Sequence, residues 1–525
     1  MAAKQQVIDL DIVGGTNFGR YEKQSIEQTF NMIVSGEALV PYAGYKKRAI
    51  LSAAANANGR GIYKSSRANI MLAVVGGVLV KILPSLTTEI VGVLSSTAGT
   101  VYMTENNNNE ILISDSLNLY IYDYTGTGVF SISNSTPGFT INFTPGAVDF
   151  QNGRFLCAAS GTATWRLSAF NDGFTWPTAA ANVGSLSTKA DEVIMAKRFP
   201  GNGNLLFLFG KTVCEQWTDI GGSDFPYQRS SNFNVDFGVA NAATIASLDN
   251  FVVWLGVNEK SGPTIMYSNG GEAKKISNEG LDFKFSRLVN PSDSYAFLFK
   301  QDGHTIYQIT FLSDNLSYIY DFTSNLFFTV SDASLGNHIA RDVVFFNNKY
   351  YFVAFTDGSL YEFGTNFTTF DYGDRIDEIP RMRITAPKRM KGQDPFVLNE
   401  ISFMLEQGQR NIIQDFGSDA LTALITEDGT VITDELGNVI TTEAELHFEP
   451  TNYIVSNMGV DFSISIDGGY TFIGNRRMPL NPTGYRQNVM KADGGWGRMN
   501  DLSVQVRFWG LDRFVVFNGA LVIES

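Results

Sequence analysis

Cysteine, charge and long apolar runs are all scarce in this chain. Only two cysteines, Cys157 and Cys214, occur among its 525 residues, so a disulfide framework and a four-ligand zinc site built on cysteine are both excluded. Both lie in apolar, strand-like runs, and we interpret them as small core residues. The longest apolar run, residues 70–80, is too short for a membrane-spanning helix, which needs about 20 residues.

Charged residues make up only 18% of the chain, which is low for a helical protein. The formal net charge is −14, which argues against a protein that wraps nucleic acid by neutralising its phosphates. A surface along which DNA slides stays compatible with that charge. The first residues lack the apolar core of a signal peptide, so we expect a chain made in a reducing cytoplasm, without a membrane anchor.

What is abundant instead is glycine, with 50 residues, and aromatic side chains, at 13%. One sequence pattern recurs: an apolar strand, a small or polar turn, then a strand in which apolar and polar residues alternate. It begins near residues 69, 109, 153, 204, 250, 294 and 341, at a spacing of about 45 residues, which is typical of a four-stranded propeller blade. The pattern predicts an all-β protein with a β-propeller of six to eight blades, seven being favoured. Two β-sandwiches in tandem are the alternative.

The repeat also predicts the domain organisation. Residues 1–48 precede it and are expected to form an N-terminal arm, and residues 49–372 the propeller. Residues 380–391 carry five basic side chains, no acid and two prolines, which indicates a boundary. Residues 373–525 are expected to form a C-terminal domain resembling a β-sandwich.

Signals for catalysis are weak. Residues 465–472 fit the Asp-box pattern S-x-D-x-G-x-T-F, and residues 171–176 a degenerate form; both predict hairpin turns. The same device occurs in sialidases, which would also need an arginine triad and a tyrosine nucleophile. The three histidines show no metal-site spacing, and residues 426–438 fit hairpin turns better than a calcium loop. We predict no catalytic residue, metal or cofactor.

Charge is segregated along the C-terminal region. Residues 411–475 contain eleven acids and no lysine or arginine, and basic clusters lie on both sides. An ordinary solvated surface and an acidic face toward a passage or partner explain this equally well. On the second interpretation the lumen-lining candidates are Asp415, Asp419, Glu427, Asp428, Asp434 and Glu435. The docking candidates are Arg381, Arg383, Lys388, Arg389, Arg476 and Arg477.

One stretch, residues 208–221, carries a family resemblance. Its sequence LFGKTVCEQWTDIG is similar to an L-F-G, E-x-W, D-x-G signature through Phe209, Gly210, Glu215, Trp217, Asp219 and Gly221. Shorter matches lie at residues 30–32, 41–44, 303–307 and 320–321. The chain resembles the tail hub, or nozzle, proteins of short-tailed bacteriophages, the packaged DNA stabilisation family of P22-like podoviruses.

The resemblance implies a structural protein of the virion tail, made in the host bacterial cytoplasm, and not an enzyme. Members of that family form a homo-hexamer below the portal and adaptor rings, carry tailspikes or fibres, and are sealed by a needle or plug. DNA passes through without sequence-specific binding. The alternative is a receptor-binding propeller that binds or cleaves glycans. A third possibility is a ring that has no DNA passage.

Overall fold

The structure, a computed structural model, describes residues 5–19, 26–51, 57–126, 128–222, 225–407, 459–479, 487–510 and 513–524. The first strands along the chain are short and belong to different sheets. They are β1 (Gln5–Leu10), β2 (Asn17–Phe18), β3 (Ile26–Phe30), β4 (Met32–Ser35), β5 (Ala38–Pro41) and β6 (Gly44–Ile50).

Antiparallel four-stranded units follow in regular succession. The first contains β7 (Gly59–Lys64), β8 (Met71–Val75), β9 (Val78–Ile82) and β10 (Thr88–Val93). The second contains β11 (Tyr102–Glu105), β12 (Glu110–Ser114), β13 (Leu119–Asp123) and β14 (Val129–Ile132). The third contains β15 (Pro145–Gln151), β16 (Arg154–Ala159), β17 (Thr164–Leu167) and β18 (Val183–Ser185).

The next two units keep the same order. The fourth contains β19 (Val193–Arg198), β20 (Leu205–Gly210), β21 (Cys214–Asp219) and β22 (Tyr227–Val235). In the fifth, two short strands pair with the same neighbour: β23 (Gly238–Val239) and β24 (Ala246–Leu248) with β25 (Phe251–Val257), followed by β26 (Thr264–Ser268) and β27 (Lys274–Lys275). The helix α1 (Glu279–Phe285) and short 3-10 turns at Ala180–Asn182, Ala242–Thr244, Pro291–Asp293 and Lys391–Gln393 complete the connections.

The last two units share strands with the ends of the chain. The sixth contains β28 (Tyr295–Gln301), β29 (His304–Phe311), β30 (Leu316–Asp321) and β31 (Leu326–Val330). The seventh contains β32 (Ala340–Phe346), β33 (Lys349–Ala354) and β34 (Ser359–Gly364), then β6, with β35 (Thr369–Asp371) and β36 (Ile376–Glu378) beyond it. The prediction of an all-β propeller with six to eight blades is confirmed, and the described strands form seven such sheets.

An N-terminal strand closes the ring of blades. Strand β6 pairs antiparallel with β34, with Tyr45 opposite Phe363, and the inner strand β32 lies beside the inner strand β7 of the first blade. The expected boundary at residues 48 and 49 therefore falls inside β6. The region expected as an arm supplies strands to three sheets, because strand pairing over 300 residues leaves no trace in a local repeat.

The C-terminal strands form two sheets that face each other. They are β37 (Arg381–Ile384), β38 (Phe396–Gln407), β39 (Gly459–Ser465), β40 (Ile473–Pro479), β41 (Gln487–Asp493), β42 (Arg498–Met499), β43 (Ser503–Trp509) and β44 (Phe514–Glu524). One sheet has the order β4-β5-β44-β38-β41, with β1 beside β44 and β42 beside β38. The other continues the sixth blade from β31 through β3, β37, β43, β39 and β40.

The two C-terminal sheets pack through aromatic side chains. The ring centroid of Phe403 lies 5.4 Å from that of Phe462 and 6.0 Å from that of Phe508. One buried cluster runs from these residues into the sixth and seventh blades, where it includes Phe299 and Phe352. A continuous apolar core of this kind resists sliding of one part against the other. The β-sandwich and the propeller are therefore joined along a shared core as well as a shared sheet.

Candidate interaction surfaces

The two arginines of β37 do not lie on the surface. Arg383 is fully buried, and its guanidinium donates to the carbonyl oxygens of Ile12 (2.7 Å), Gly15 (2.8 Å) and Asp11 (3.1 Å). It also donates to Thr29 Oγ1 (3.1 Å) and to a carboxylate oxygen of Glu27. These bonds attach the N-terminal segment to the C-terminal sheet. Arg383 therefore has an internal role, and its side chain is not available to dock a neighbour.

Arg381 is also buried, with 2% of its surface exposed. Its guanidinium lies over the ring of Phe514, 5.4 Å from the centroid, and donates to the carbonyl oxygen of Thr368 at 3.3 Å. Burial lowers the pKa of Arg381 to about 10. This side chain, like Arg383, is placed inside the chain, although the run of basic residues around it suggested a solvated docking surface.

The other four docking candidates are accessible and pair with nearby groups. Lys388 contacts the Asp11 carboxylate, and Arg389 donates to Asp501 Oδ2 from Nε at 3.0 Å and from Nη2 at 2.6 Å. Arg476 stacks on Trp496, 4.0 Å from the ring centroid. Because exposed ion pairs contribute little to stability, the same groups can exchange partners when another surface approaches. Docking through them stays a prediction.

Arg477 lines a cleft between the propeller and the sandwich. Its guanidinium forms a two-point contact with Asp461, at 2.9 and 3.0 Å, and lies 4.7 Å from the ring centroid of Trp509. The hydrogen bonds from Arg477 are the largest cause that lowers the pKa of Asp461. The cleft has a volume of about 680 Å³.

Two further arginines line this cleft, Arg375 from the turn between β35 and β36 and Arg507 from β43. Arg375 pairs with Asp377 at 3.1 Å and lies 4.4 Å from the ring centroid of Tyr372. Arg507 is exposed and stands opposite Asp461 in the β39–β43 register. Sequence reasoning did not single out Arg375 or Arg507, because they are separated by more than 130 residues and only folding brings them together. The cleft therefore presents paired positive and negative charges beside aromatic rings.

The six lumen-lining candidates lie outside the described residues. Asp415, Asp419, Glu427, Asp428, Asp434 and Glu435 all fall between the end of β38 at Gln407 and the start of β39 at Gly459. Two acids of the same sequence stretch are described. Asp461 takes part in the cleft, and Asp467 closes the Asp-box turn by accepting from the backbone N–H groups of Tyr470 (3.1 Å) and Thr471 (3.0 Å). In the degenerate turn the equivalent position is Asn171, whose buried Oδ1 has no hydrogen-bond partner among the described residues, and the next residue, Asp172, accepts from Phe174 N at 2.8 Å.

The signature residues of 208–221 connect two blades. Glu215 is fully buried, and its Oε1 accepts from Ser187 N (3.0 Å) and Thr188 N (2.6 Å) while its Oε2 accepts from Trp217 Nε1 at 2.9 Å. The Trp217 ring meets Trp165 of the preceding blade edge to face at 6.0 Å. A buried carboxylate is stable only when it is hydrogen bonded in this way. Glu215 and Trp217 therefore maintain blade packing.

The remaining signature residues shape turns and close contacts. Phe209 is buried in the core beside Trp254, at a centroid distance of 5.2 Å. A Cβ added to Gly210 would lie 2.6 Å from Asp191 Oδ2 and 2.9 Å from Leu186 Cδ1, so a larger residue here would displace these side chains. Asp219 accepts from Gly221 N at 2.9 Å, and Gly221 has a φ of +65°, which favours glycine. The signature describes how this blade folds.

The matches to the family at residues 303–307 and 320–321 also lie inside the protein. The buried His304 Nδ1 lies 2.8 Å from Asp321 Oδ2, and the same carboxylate oxygen accepts from Ser324 Oγ at 2.7 Å.

Burial raises the pKa of both cysteine thiols, that of Cys157 to about 12. Within the described ranges no group of three or more histidine, cysteine, aspartate or glutamate side chains could hold a metal ion.

Comparison with known proteins decides the family. A family model described as the β-propeller of bacteriophage P22 Gp10 matches residues 29–368. The chain belongs to this family. The match covers β4 to β34 in full, together with the ring closure through β6. A search of curated proteins returned no match.

Solved propellers are similar in architecture only. A virginiamycin B lyase from Staphylococcus aureus, catalytically inactive and with quinupristin, covers 61% of this chain and 99% of its own at 10% identity and a TM-score of 0.41. The WD40 domain of Doa1 covers 62% and 98% at 11% identity and a TM-score of 0.39. The Pan2 WD40 domain of Neurospora crassa covers 59% and 89% at 9% identity and a TM-score of 0.38. At these values the likenesses indicate nothing about activity or partners.

Membership of the P22 Gp10 propeller family supports a structural role in a bacteriophage tail. The arginines of the cleft fit that assignment, because Arg375 and Arg477 are each paired with a carboxylate of this chain. No helix in the described ranges has the length and apolar character to cross a membrane.

Proposed function

We propose that this chain is the tail hub, or nozzle, of a short-tailed bacteriophage virion, made in the host cytoplasm and assembled as a homo-hexamer. The ring would extend the DNA channel below the portal and adaptor rings and retain the packaged genome. It would also carry tailspikes or fibres and be closed by a needle or plug. The observation that carries the proposal is the match of residues 29–368 to the P22 Gp10 propeller family.

The architecture suits a wall of such a ring. Strand β6 closes the propeller, β3 continues the sixth blade into the sandwich, and a single apolar core underlies both. Identical rigid wedges that bind head to tail form a closed ring when the rotation between them divides a full turn. The chain therefore has the stiffness that a channel wall needs, without any contribution from catalysis.

Charge supports passage of DNA through that ring. Six copies at −14 each carry a total of −84, and carboxylates facing a lumen repel phosphates, so that a duplex slides without binding to particular sequences. The candidates for this face remain Asp415, Asp419, Glu427, Asp428, Asp434 and Glu435. The accessible basic residues Lys388, Arg389, Arg476 and Arg477 are the candidates for contacts with neighbours.

The mass of the assembled particle tests the proposal. Six copies of the 57.8 kDa chain give about 347 kDa in mass photometry. Replacing the four accessible basic residues by glutamine should shift the population toward single chains. A control replaces four exposed lysines elsewhere, Lys64, Lys211, Lys260 and Lys274, and should leave the ring intact.

Each outcome separates two claims. A ring that persists in the docking variant keeps the hub and removes those four residues from the ring contact. A chain that stays single at every concentration and releases sugars from a polysaccharide contradicts the hub and favours the glycan-cleaving alternative.

A further inference from the structure

The inner strands of the propeller surround a polar channel. A cavity of about 380 Å³ inside it and a second of about 510 Å³ at one mouth share four lining residues, Arg60, Thr100, Tyr102 and Arg341. They come from the first, second and seventh blades and the loops between them. Cavities of this size in proteins accommodate small molecules when a few polar groups converge in them. A ligand can bind in this channel only through hydrogen-bonding groups that the protein itself leaves unused.

Arg60 has none. Its exposed fraction is 2%, and Nε donates to the Gly99 carbonyl oxygen at 2.7 Å. Nη1 donates to the carbonyl oxygens of Gly76 (2.8 Å) and Ser96 (2.7 Å), and Nη2 to Ser96 Oγ and the Ala98 carbonyl oxygen, both at 2.7 Å. A guanidinium has five N–H groups, and all five are engaged. Arg60 therefore fixes the loop at the channel mouth.

Arg341, in contrast, has N–H groups without partners among the described residues. Its exposed fraction is 8%, its guanidinium lies 4.1 Å from the ring centroid of Tyr295, and its one side-chain hydrogen bond within the described residues is from Nη2 to Thr100 Oγ1 at 2.5 Å. No carboxylate of the described residues lies within 4 Å of it. A buried cation with so little compensation is unfavourable unless something else bonds to it.

The carboxylates that line the same channel have other partners. Asp149 pairs with Lys197 at 3.0 Å and accepts from Arg198 N, also at 3.0 Å. Asp342 accepts from Val343 N at 2.9 Å. Asp293, at the mouth, accepts from Ser313 N at 3.0 Å through Oδ2, while its Oδ1 is buried without a partner. None of these contacts supplies Arg341 with a direct counter-charge.

A second unused group lies beside Arg341. Tyr295 is 1% exposed, lines the inner cavity, and its hydroxyl has no hydrogen-bond partner in the described residues. A buried hydroxyl without a partner is rare in proteins. The channel thus holds a cation with unused N–H groups, stacked on a tyrosine whose buried hydroxyl has no hydrogen-bond partner among the described residues.

We propose that the propeller channel binds a small oxyanion, a carboxylate or a phosphate group, at Arg341. The planar guanidinium, fixed by Tyr295 and Thr100, presents its remaining N–H groups as a fork that matches two oxygens of such an anion. Arg60 keeps the mouth open and takes no direct part. The site is independent of the proposed hub function, because it lies inside a single chain.

Isothermal titration of the full chain with inorganic phosphate and, separately, with acetate tests this site and identifies which oxyanion it prefers. We expect saturable binding of at least one, weakened about tenfold or more in Arg341→Gln because a charge-assisted two-point contact is lost. Arg287→Gln, at an exposed arginine that lies over the Phe283 ring outside the channel, is the matched control and should bind as the unmodified chain does.

Two milder variants cover the case in which Arg341→Gln does not fold. Arg341→Lys retains the charge and loses the fork, and Thr100→Val removes the hydroxyl that positions the fork; each should weaken binding severalfold. Equal binding in all variants, or no binding of phosphate or acetate to the unmodified chain at 10 mM and low salt (roughly the weakest affinity worth assigning), would overturn the proposal. In the second outcome a water-mediated contact between Arg341 and Asp293 would explain the geometry.

Discussion

The joint between propeller and sandwich and the channel through the propeller both bury an arginine, and they compensate it differently. At the joint, every N–H group of Arg383 has a partner, and the partners belong to residues 11–29. In the channel, Arg341 has one hydrogen bond and an aromatic face. Burial alone therefore does not reveal the role of a charged residue. What separates a structural arginine from a binding one is how many of its donors the chain itself satisfies.

Truncation of each arginine should measure this difference. Arg383→Met leaves the Glu27 carboxylate and four other acceptors without their donor, and we expect a loss of about 3–5 kcal/mol in the free energy of unfolding. Arg341→Met removes one hydrogen bond and one cation–π contact but also a poorly compensated charge, so we expect a change within about 1 kcal/mol. Urea denaturation monitored by tryptophan fluorescence gives both values.

Hydrogen exchange refines the same experiment. In Arg383→Met the backbone amides of residues 26–30 should exchange faster than those of the distant third blade, because the N-terminal segment loses its attachment. Losses of similar size in the two variants would contradict the distinction between the two regions. Arg389→Met, on an exposed arginine, serves as the control and should cost less than about 1 kcal/mol.

The joint also shows where sequence reasoning stops. The propeller could be predicted because each blade repeats a local pattern, and the Asp467 turn because Asx-turn chemistry is local. Arg381 and Arg383 were misplaced on a surface, since a run of basic residues is usually solvated. The partners of Arg383 lie in residues 11–29, and those of Arg381 are Thr368 and Phe514. No pattern in the sequence connects positions so far apart.

The channel should also make the stability of the chain depend on pH. Burial raises the pKa of Asp342 to about 7, against about 3.9 for an unfolded aspartate. Between those values the folded chain binds more protons than the unfolded one, so stability should fall as pH rises from about 4 to 7, by at most about 1.4 kcal/mol per pH unit. Asp342→Asn should remove this part of the slope. Urea midpoints at pH 5, 6, 7 and 8 test it, and parallel profiles for the two proteins would contradict it.

The function proposed for this chain is that of one wedge in a ring that surrounds DNA. Electron cryomicroscopy of the purified full-length protein tests it most directly, because symmetry and bore are read from one map. We expect six copies around an open bore wider than a DNA duplex of about 20 Å, with the propeller and sandwich moving as one body. Isolated chains, or a ring whose bore is too narrow for a duplex, would contradict it.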